Sequence, residues 1–231
     1  MTAKVITVFN QKGGCGKTTV SVQLAGTLGR RRARVLLIDL DPQGSATHWV
    51  RQAKDDAPFP ANVVGLAAMR DKVHREIKAH LEDYDFIIAD CPPAAESPVA
   101  SSALLVSDLG IMPVVPTPLD VWATDDKARA LIANVSELNT TLKVVLLPNR
   151  VHATTSLAKS TVELIREDDV LPVMKTQLGS RTVYCECPLY GATVHSVPSA
   201  HQAIEEVDRL TDEVLSLLSM ETRFKENSVH A

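Results

Sequence analysis

Short aliphatic blocks recur along the chain, and longer stretches between them bring apolar positions back every three or four residues. The blocks are Lys4–Asn10, Arg34–Leu40, Asp85–Asp90, Leu109–Val115 and Val144–Leu147. Each is too short for a globular helix and nearly unbroken in Val, Ile and Leu, which predicts strands covered on both faces. The intervening pattern predicts helices over Thr18–Arg31, Asp71–Glu82, Thr124–Asn139 and Ser156–Glu167, and a long closing helix over Ser199–Met220. Val173–Leu178 reads as a further strand. Pro92 and Pro93 stop the third block, and Pro116 and Pro118 the fourth, because proline cannot continue a ladder. Strands alternating with helices predict βαβ units. The expected fold class is therefore α/β, a mostly parallel twisted sheet with helices on both faces. No linker, repeat or shift in composition divides the chain. Residues 1–220 are expected to form one domain, and the polar segment 221–231 a frayed tail.

Composition narrows the class of function. The chain has 231 residues, enough for one large domain burying about three quarters of its unfolded surface. Its formal charge is -4, so any contact with nucleic acid needs a local basic patch, because the overall field is not attractive. The four cysteines, Cys15, Cys91, Cys185 and Cys187, match neither a zinc set nor a Cys-x-x-Cys pair, and read as reduced thiols. The first residues run straight into a strand without the charged and apolar regions of a signal peptide. No stretch of 18 apolar residues occurs, so no membrane span is expected and the setting reads as cytoplasmic.

The sharpest chemistry follows the first strand. Lys12-Gly13-Gly14-Cys15-Gly16-Lys17-Thr18-Thr19 links a strand to a helix, as a phosphate-binding loop requires. Glycines let consecutive N–H groups curl around an anion, and the helix N-terminus adds its dipole. In that pattern Lys17 reaches the β- and γ-phosphates and the Thr18 hydroxyl ligates Mg²⁺. The first glycine of the ordinary pattern is replaced by Gln11, and a second lysine, Lys12, precedes the glycine pair.

Two further strand ends carry acids: Asp39 and Asp41 in Asp39-Leu40-Asp41-Pro42-Gln43-Gly44, and Asp90 before Cys91-Pro92-Pro93. Ligands of open parallel sheets bind beyond the carboxyl ends of the strands, so these three are expected to meet the phosphate loop. Phosphoryl transfer to water needs one carboxylate for Mg²⁺ and another to orient the attacking water. Asp90 suits the metal role, with Asp39 supporting the metal or its water shell. Taken singly, each could equally be a strand-end turn former.

The Lys-Gly-Gly-x-Gly-Lys-Thr arrangement resembles the deviant Walker A motif of the ParA/MinD/nitrogenase-iron-protein superfamily. The Asp-Leu-Asp-Pro-Gln-Gly run resembles the ParA switch I segment. Val106–Leu109 and Pro113–Asp120 look like the fourth strand and following segment of small plasmid partition ATPases, closest to a short ParF-like branch. The resemblance spans roughly residues 4–220 and is weak beyond residue 150. It implies an ATPase using ATP and Mg²⁺. Lys12 would be the signature lysine that crosses a dimer interface to the partner's nucleotide, Asp41 would position the water, and Asn149 would contact adenine, although Asn149 also suits a turn after a strand. It further implies an ATP-dependent homodimer, non-specific DNA binding in the nucleoid, and a small ParB- or ParG-like centromere-binding adaptor that stimulates hydrolysis. Lys175, Arg181 and Arg209 lie where related proteins place DNA contacts. Only three residues precede the first strand, so an operator-binding helix-turn-helix is not expected in this chain.

Three rival classes fit less well. A MinD-like membrane ATPase needs an amphipathic C-terminal helix, and the segment around Phe224 shows no apolar stripe. An iron–sulfur reductase needs two suitably placed cysteines per subunit, and only Cys91 lies near the expected nucleotide. A metabolic P-loop enzyme needs a second substrate motif, and none is visible.

Overall fold

The computed structural model describes residues 2–93, 98–117, 126–152, 156–167 and 171–224. Six parallel strands, β1 (Lys4–Val8), β2 (Val35–Asp39), β3 (Asn62–Gly65), β4 (Phe86–Asp90), β5 (Leu109–Val114) and β6 (Lys143–Pro148), lie in the order β3-β2-β4-β1-β5-β6. The described helices are α1 (Lys17–Arg30), α2 (Ser45–Val50), α3 (Val73–Ala79), α4 (Pro98–Leu104), α5 (Asp126–Leu138), α6 (Ser156–Glu167), α7 (Val183–Glu186), α8 (His201–Leu217) and α9 (Glu221–Phe224).

Strand residues alternate between two apolar cores. Ile6, Val8, Val35, Leu37, Phe86, Ile88, Leu109, Ile111, Val145 and Leu147 face one core with α1, α2 and α8. Val5, Leu36, Ile38, Ile87, Ala89, Met112, Val114, Val144 and Leu146 face the other with α3, α4, α5 and α6. Burial on both faces explains why these blocks read as unbroken aliphatic runs and show no polar alternation.

Several expectations need correction. Val173–Leu178 is not a strand: only isolated bridges, Leu146 with Val173 and Val151 with Gly179, join this segment to its neighbours. The expected helix over Asp71–Glu82 is a 3₁₀ segment, Ala67–Lys72, itself kinked at Arg70 (φ 45), followed by the shorter α3. β3 was not anticipated, because Asn62-Val63-Val64-Gly65 is a four-residue edge strand with partly exposed side chains. Residues 221–224, expected in the frayed tail, form one more turn, α9, with Phe224 buried against Phe86 at 5.2 Å between ring centres. Residues 225–231 lie outside the described residues.

Candidate nucleotide site

β1 sits between β4 and β5, and the chain leaves it for α1 by crossing over β4 to β2. The loop Asn10–Gly16 therefore opens where β1, β2 and β4 end together. Asp39 and Asp90 are register partners, as are Val8 and Asp90, so both carboxylates lie one strand or two from the loop.

The loop is held from several sides. The Asn10 carboxamide accepts from the Lys12 N–H at 3.0 Å and donates to the Pro113 carbonyl at 2.7 Å. Gly16 precedes α1 at φ 91, and a Cβ there would fall 2.2 Å from the Asn149 amide nitrogen. Only glycine fits that position. Gly16 offers no side-chain cap, so the leading N–H groups of α1 keep their capacity for an anion. The Lys17 ammonium donates back to the Lys12 carbonyl at 3.0 Å and lies 3.9 Å from the Cys15 sulfur. Cys15 is itself buried, and burial raises its thiol pKa.

The three aspartates have different surroundings. Both oxygens of Asp39 are engaged by backbone: Oδ1 accepts from the Asp41 N–H at 3.1 Å and Oδ2 from the Thr47 N–H at 2.8 Å. Asp39 thus clamps the loop leading into α2. Asp41 lies on that loop, accepts from the Gln43 N–H at 2.9 Å, and lines the cavity above the phosphate loop. Asp90 is fully buried. Its Oδ1 accepts from the Ser21 hydroxyl at 3.0 Å, while Oδ2 has no partner. Burial pushes its pKa up to about 7, with Thr18 and Ser21 pulling the other way. A buried carboxylate oxygen without a donor suits a hard cation, and Thr18 beside it offers a second oxygen. The donor set fits Mg²⁺.

A cavity of about 420 Å³ opens above these groups. It is lined by Gly14, Gly16, Lys17, Thr18 and Thr19 of the loop and α1, by Asp41, Ser45 and Pro93, by Asn149 and Arg150, which bond the loop, and by Gly179, Ser180, Arg181, Tyr184 and Cys185. The loop-built side suits phosphates, and the wall that includes Arg181 and Tyr184 suits a nucleoside.

A model of the CobQ/CobB/MinD/ParA nucleotide-binding domain matches residues 6–194. The chain belongs to this family. The carboxysome-distribution protein A of Halothiobacillus neapolitanus is 30% identical over 214 residues, covering 92% of this chain and 97% of that protein. The sporulation inhibitor Soj of Bacillus subtilis is 29% identical, covering 83% of this chain and 90% of that one. Among solved structures, an ATP complex of a Cyanothece McdA variant superposes with a TM-score of 0.77 at 16% identity, covering 99% of both chains. MinD of Pyrococcus horikoshii with Mg-ADP gives 0.70 at 22%, covering 96% and 99%. At these identities the structural likeness speaks for the fold.

Within the ParA/MinD frame, the residues expected at the site divide. Lys12, Gly13, Gly14, Cys15, Gly16, Lys17, Thr18 and Thr19 form the loop, with Lys12 exposed, and Asp39, Asp41 and Asp90 gather beside it. Asn149 is buried and holds the loop, donating to the Cys15 carbonyl at 2.7 Å while lining the cavity. The three basic residues expected at DNA contacts are each paired with or beside acids. Arg181 belongs to the cavity wall and pairs with Glu206 at 2.6 Å. Lys175 and Arg209 line a separate groove with Arg166 and the acids Glu206, Asp212 and Glu213, and Arg209 pairs with Glu205 at 2.7 Å. Sequence reasoning missed Arg150, whose guanidinium donates to the Gly14 carbonyl at 2.9 Å, and the cavity wall formed by Ser180, Tyr184 and Cys185. Arg150 directly follows Asn149 and could have been suspected; nothing in the spacing marks residues 179–185.

Proposed function

We propose that this chain is a Mg-ATP-driven positioning ATPase that works as a nucleotide-bridged dimer on non-specific DNA and distributes a large cargo. The carrying observation is the buried, partnerless Oδ2 of Asp90 beside Thr18, with Asp41 across the same cavity. Thr18 and Asp90 hold Mg²⁺, which neutralises charge on the phosphates when bound. Lys17 releases the Lys12 carbonyl for the β- and γ-phosphates. Asp41, held by the Asp39 clamp, orients the attacking water. Lys12, exposed at the loop, reaches the phosphates of a second subunit, so charge is fully neutralised only in the dimer.

The cargo reading leans on similarity. The relative matched at 30% along nearly its whole length is named for carboxysome distribution, which favours a protein assembly. The similarity to Soj supports a second reading, partition of DNA with a small centromere-binding adaptor. The experiment is binding to non-specific duplex DNA without nucleotide, with ADP, and with ATP plus Mg²⁺, for wild type and Lys12→Ala. The expected result is binding with ATP alone, falling steeply with salt and lost in Lys12→Ala. DNA binding that ignores the nucleotide, or none in any state, would sink the proposal and leave a metabolic P-loop enzyme as the better reading.

A further inference from the structure

The cavity wall that includes Arg181 and Tyr184 is not built by the sheet. Residues 171–181 cross from α6 toward α7 with only isolated bridges to the sheet, so backbone donors there need other acceptors. Two carboxylates on α8 supply them. Glu213 accepts from the Lys175 N–H at 2.7 Å and the Thr176 N–H at 2.8 Å. Glu206, one heptad earlier, accepts from the Gly179 N–H at 3.1 Å, from Nε and Nη2 of Arg181 at 3.0 and 2.6 Å, and from the Tyr184 hydroxyl at 3.0 Å.

The two glutamates differ in what they hold. Lys175 and Thr176 line the outer groove and do not line the nucleotide cavity. Gly179, Arg181 and Tyr184 all line that cavity, and none of the three has a hydrogen bond to the phosphate loop among those described. Glu206 itself does not line it. The Glu206 side chain is only 14% exposed, so its bonds are shielded from water. Gln202, one turn earlier on α8, accepts from the other Arg181 nitrogen at 2.6 Å and completes the grip. Burial and the adjacent Glu206 both raise the Tyr184 pKa, which keeps the phenol a donor at neutral pH.

We propose that Glu206 is a positioning residue for nucleoside recognition, fixing Gly179, Arg181 and Tyr184 as one rigid wall so that α8 sets the affinity for the base and sugar while the phosphate loop sets the affinity for the phosphates. The proposal rests on the nucleotide reading of the cavity. Glu206 also lines the outer groove with Lys175 and Arg209. Among the described residues it both lines the groove and grips the cavity wall, and a ligand drawing Glu206 outward would loosen nucleoside binding.

The test compares two probes, a non-hydrolysable ATP analogue and inorganic tripolyphosphate, each with Mg²⁺, against wild type, Glu206→Gln, Tyr184→Phe and Glu213→Gln. Glutamine keeps the shape but replaces one acceptor oxygen with a donor facing Gly179, Arg181 or Tyr184. Glu206→Gln is expected to weaken the analogue by about tenfold and leave tripolyphosphate within about twofold, since losing a charged acceptor costs that much. Tyr184→Phe should weaken the analogue by about threefold and spare tripolyphosphate, because one of the bonds to Glu206 is lost. Glu213→Gln should change neither ligand. The proposal is overturned if Glu206→Gln weakens both ligands together, which is what a general loosening of α8 would do, or weakens neither. If circular dichroism shows Glu206→Gln misfolded, Tyr184→Phe decides: unchanged analogue binding there overturns the proposal. Failure of wild type to bind either probe would instead remove the nucleotide reading and the proposal with it.

Discussion

Asp39 and Asp90 are neighbours in register, yet both oxygens of one accept backbone N–H groups and the other keeps an oxygen with no partner. The sequence could place both at strand ends. It could not say which would be used by the loop, because that depends on where the Asp41 and Thr47 N–H groups arrive after folding. The phosphate loop was legible because its glycines and lysines serve local geometry, whereas Arg150 and Tyr184 join the site only through tertiary contact. Asp41→Ala should bind ATP with near wild-type affinity and lose hydrolysis by about a hundredfold or more, a range typical for a residue that orients a nucleophile. Retained turnover would reassign the water. Asp90 carries a pH signature. Its folded-state pKa, about 7, lies above the ordinary 3.8, so the stability it contributes is present in full below the lower value and drains as pH rises through the upper one. Nucleotide-free protein should therefore lose melting temperature between about pH 4 and 7 through this group, and Asp90→Asn should flatten that slope. Mg²⁺ needs the ionised form, so Mg²⁺ affinity should weaken as pH falls below about 7.

At the scale of elements, α2 is tied to two regions at once. Asp39 takes the Thr47 N–H at its start, and the Trp49 indole donates to the Ala192 carbonyl at 3.0 Å near its end. Ala192 follows Gly191, which sits at φ 58 and so close to the chain after α2 that a Cβ would fall 1.9 Å from the Ala53 nitrogen. Gly191→Ala must displace backbone, so the protein should lose roughly 2–3 kcal/mol of stability, about 5–10 °C in melting temperature. A melting temperature within a degree of wild type would show that the two segments separate freely. The elements that sequence patterning located best were those buried on both faces. Those it missed or misread, β3, α2 and the segment 171–181, are short or take their hydrogen bonds from side chains far along the chain. No local period encodes such a partner.

The whole molecule is a sheet between two cores, and the chain end helps to close one of them. Phe224 is 5% exposed and packs edge-on to Phe86 of β4, while Arg223 bonds Asp85 at 3.0 Å. Polar neighbours in the sequence disguised this turn as tail. Phe224→Ala should cost about 3–4 kcal/mol, as emptying an aromatic site in a packed core does. Denaturant titration would measure it, and a loss under 1 kcal/mol would return residues 221–224 to the status of a frayed end. The near-neutral charge, -4 overall, leaves nucleic-acid attraction to local surfaces, and among the described residues the groove holding Lys175 and Arg209 is already populated by acids. Dimer formation is one way to gather scattered cations onto a single face.

Of the four thiols, Cys15, Cys91 and Cys187 are buried, and only Cys185 is exposed, in the wall of the nucleotide cavity. Burial raises the pKa of each buried thiol, in Cys187 to about 11, which slows any alkylating reagent there. The native chain thus carries its own footprinting handle. A maleimide should mark a single position on the folded protein, and a bound nucleotide should shield it, so that the rate of labelling reads occupancy directly without a fluorescent analogue.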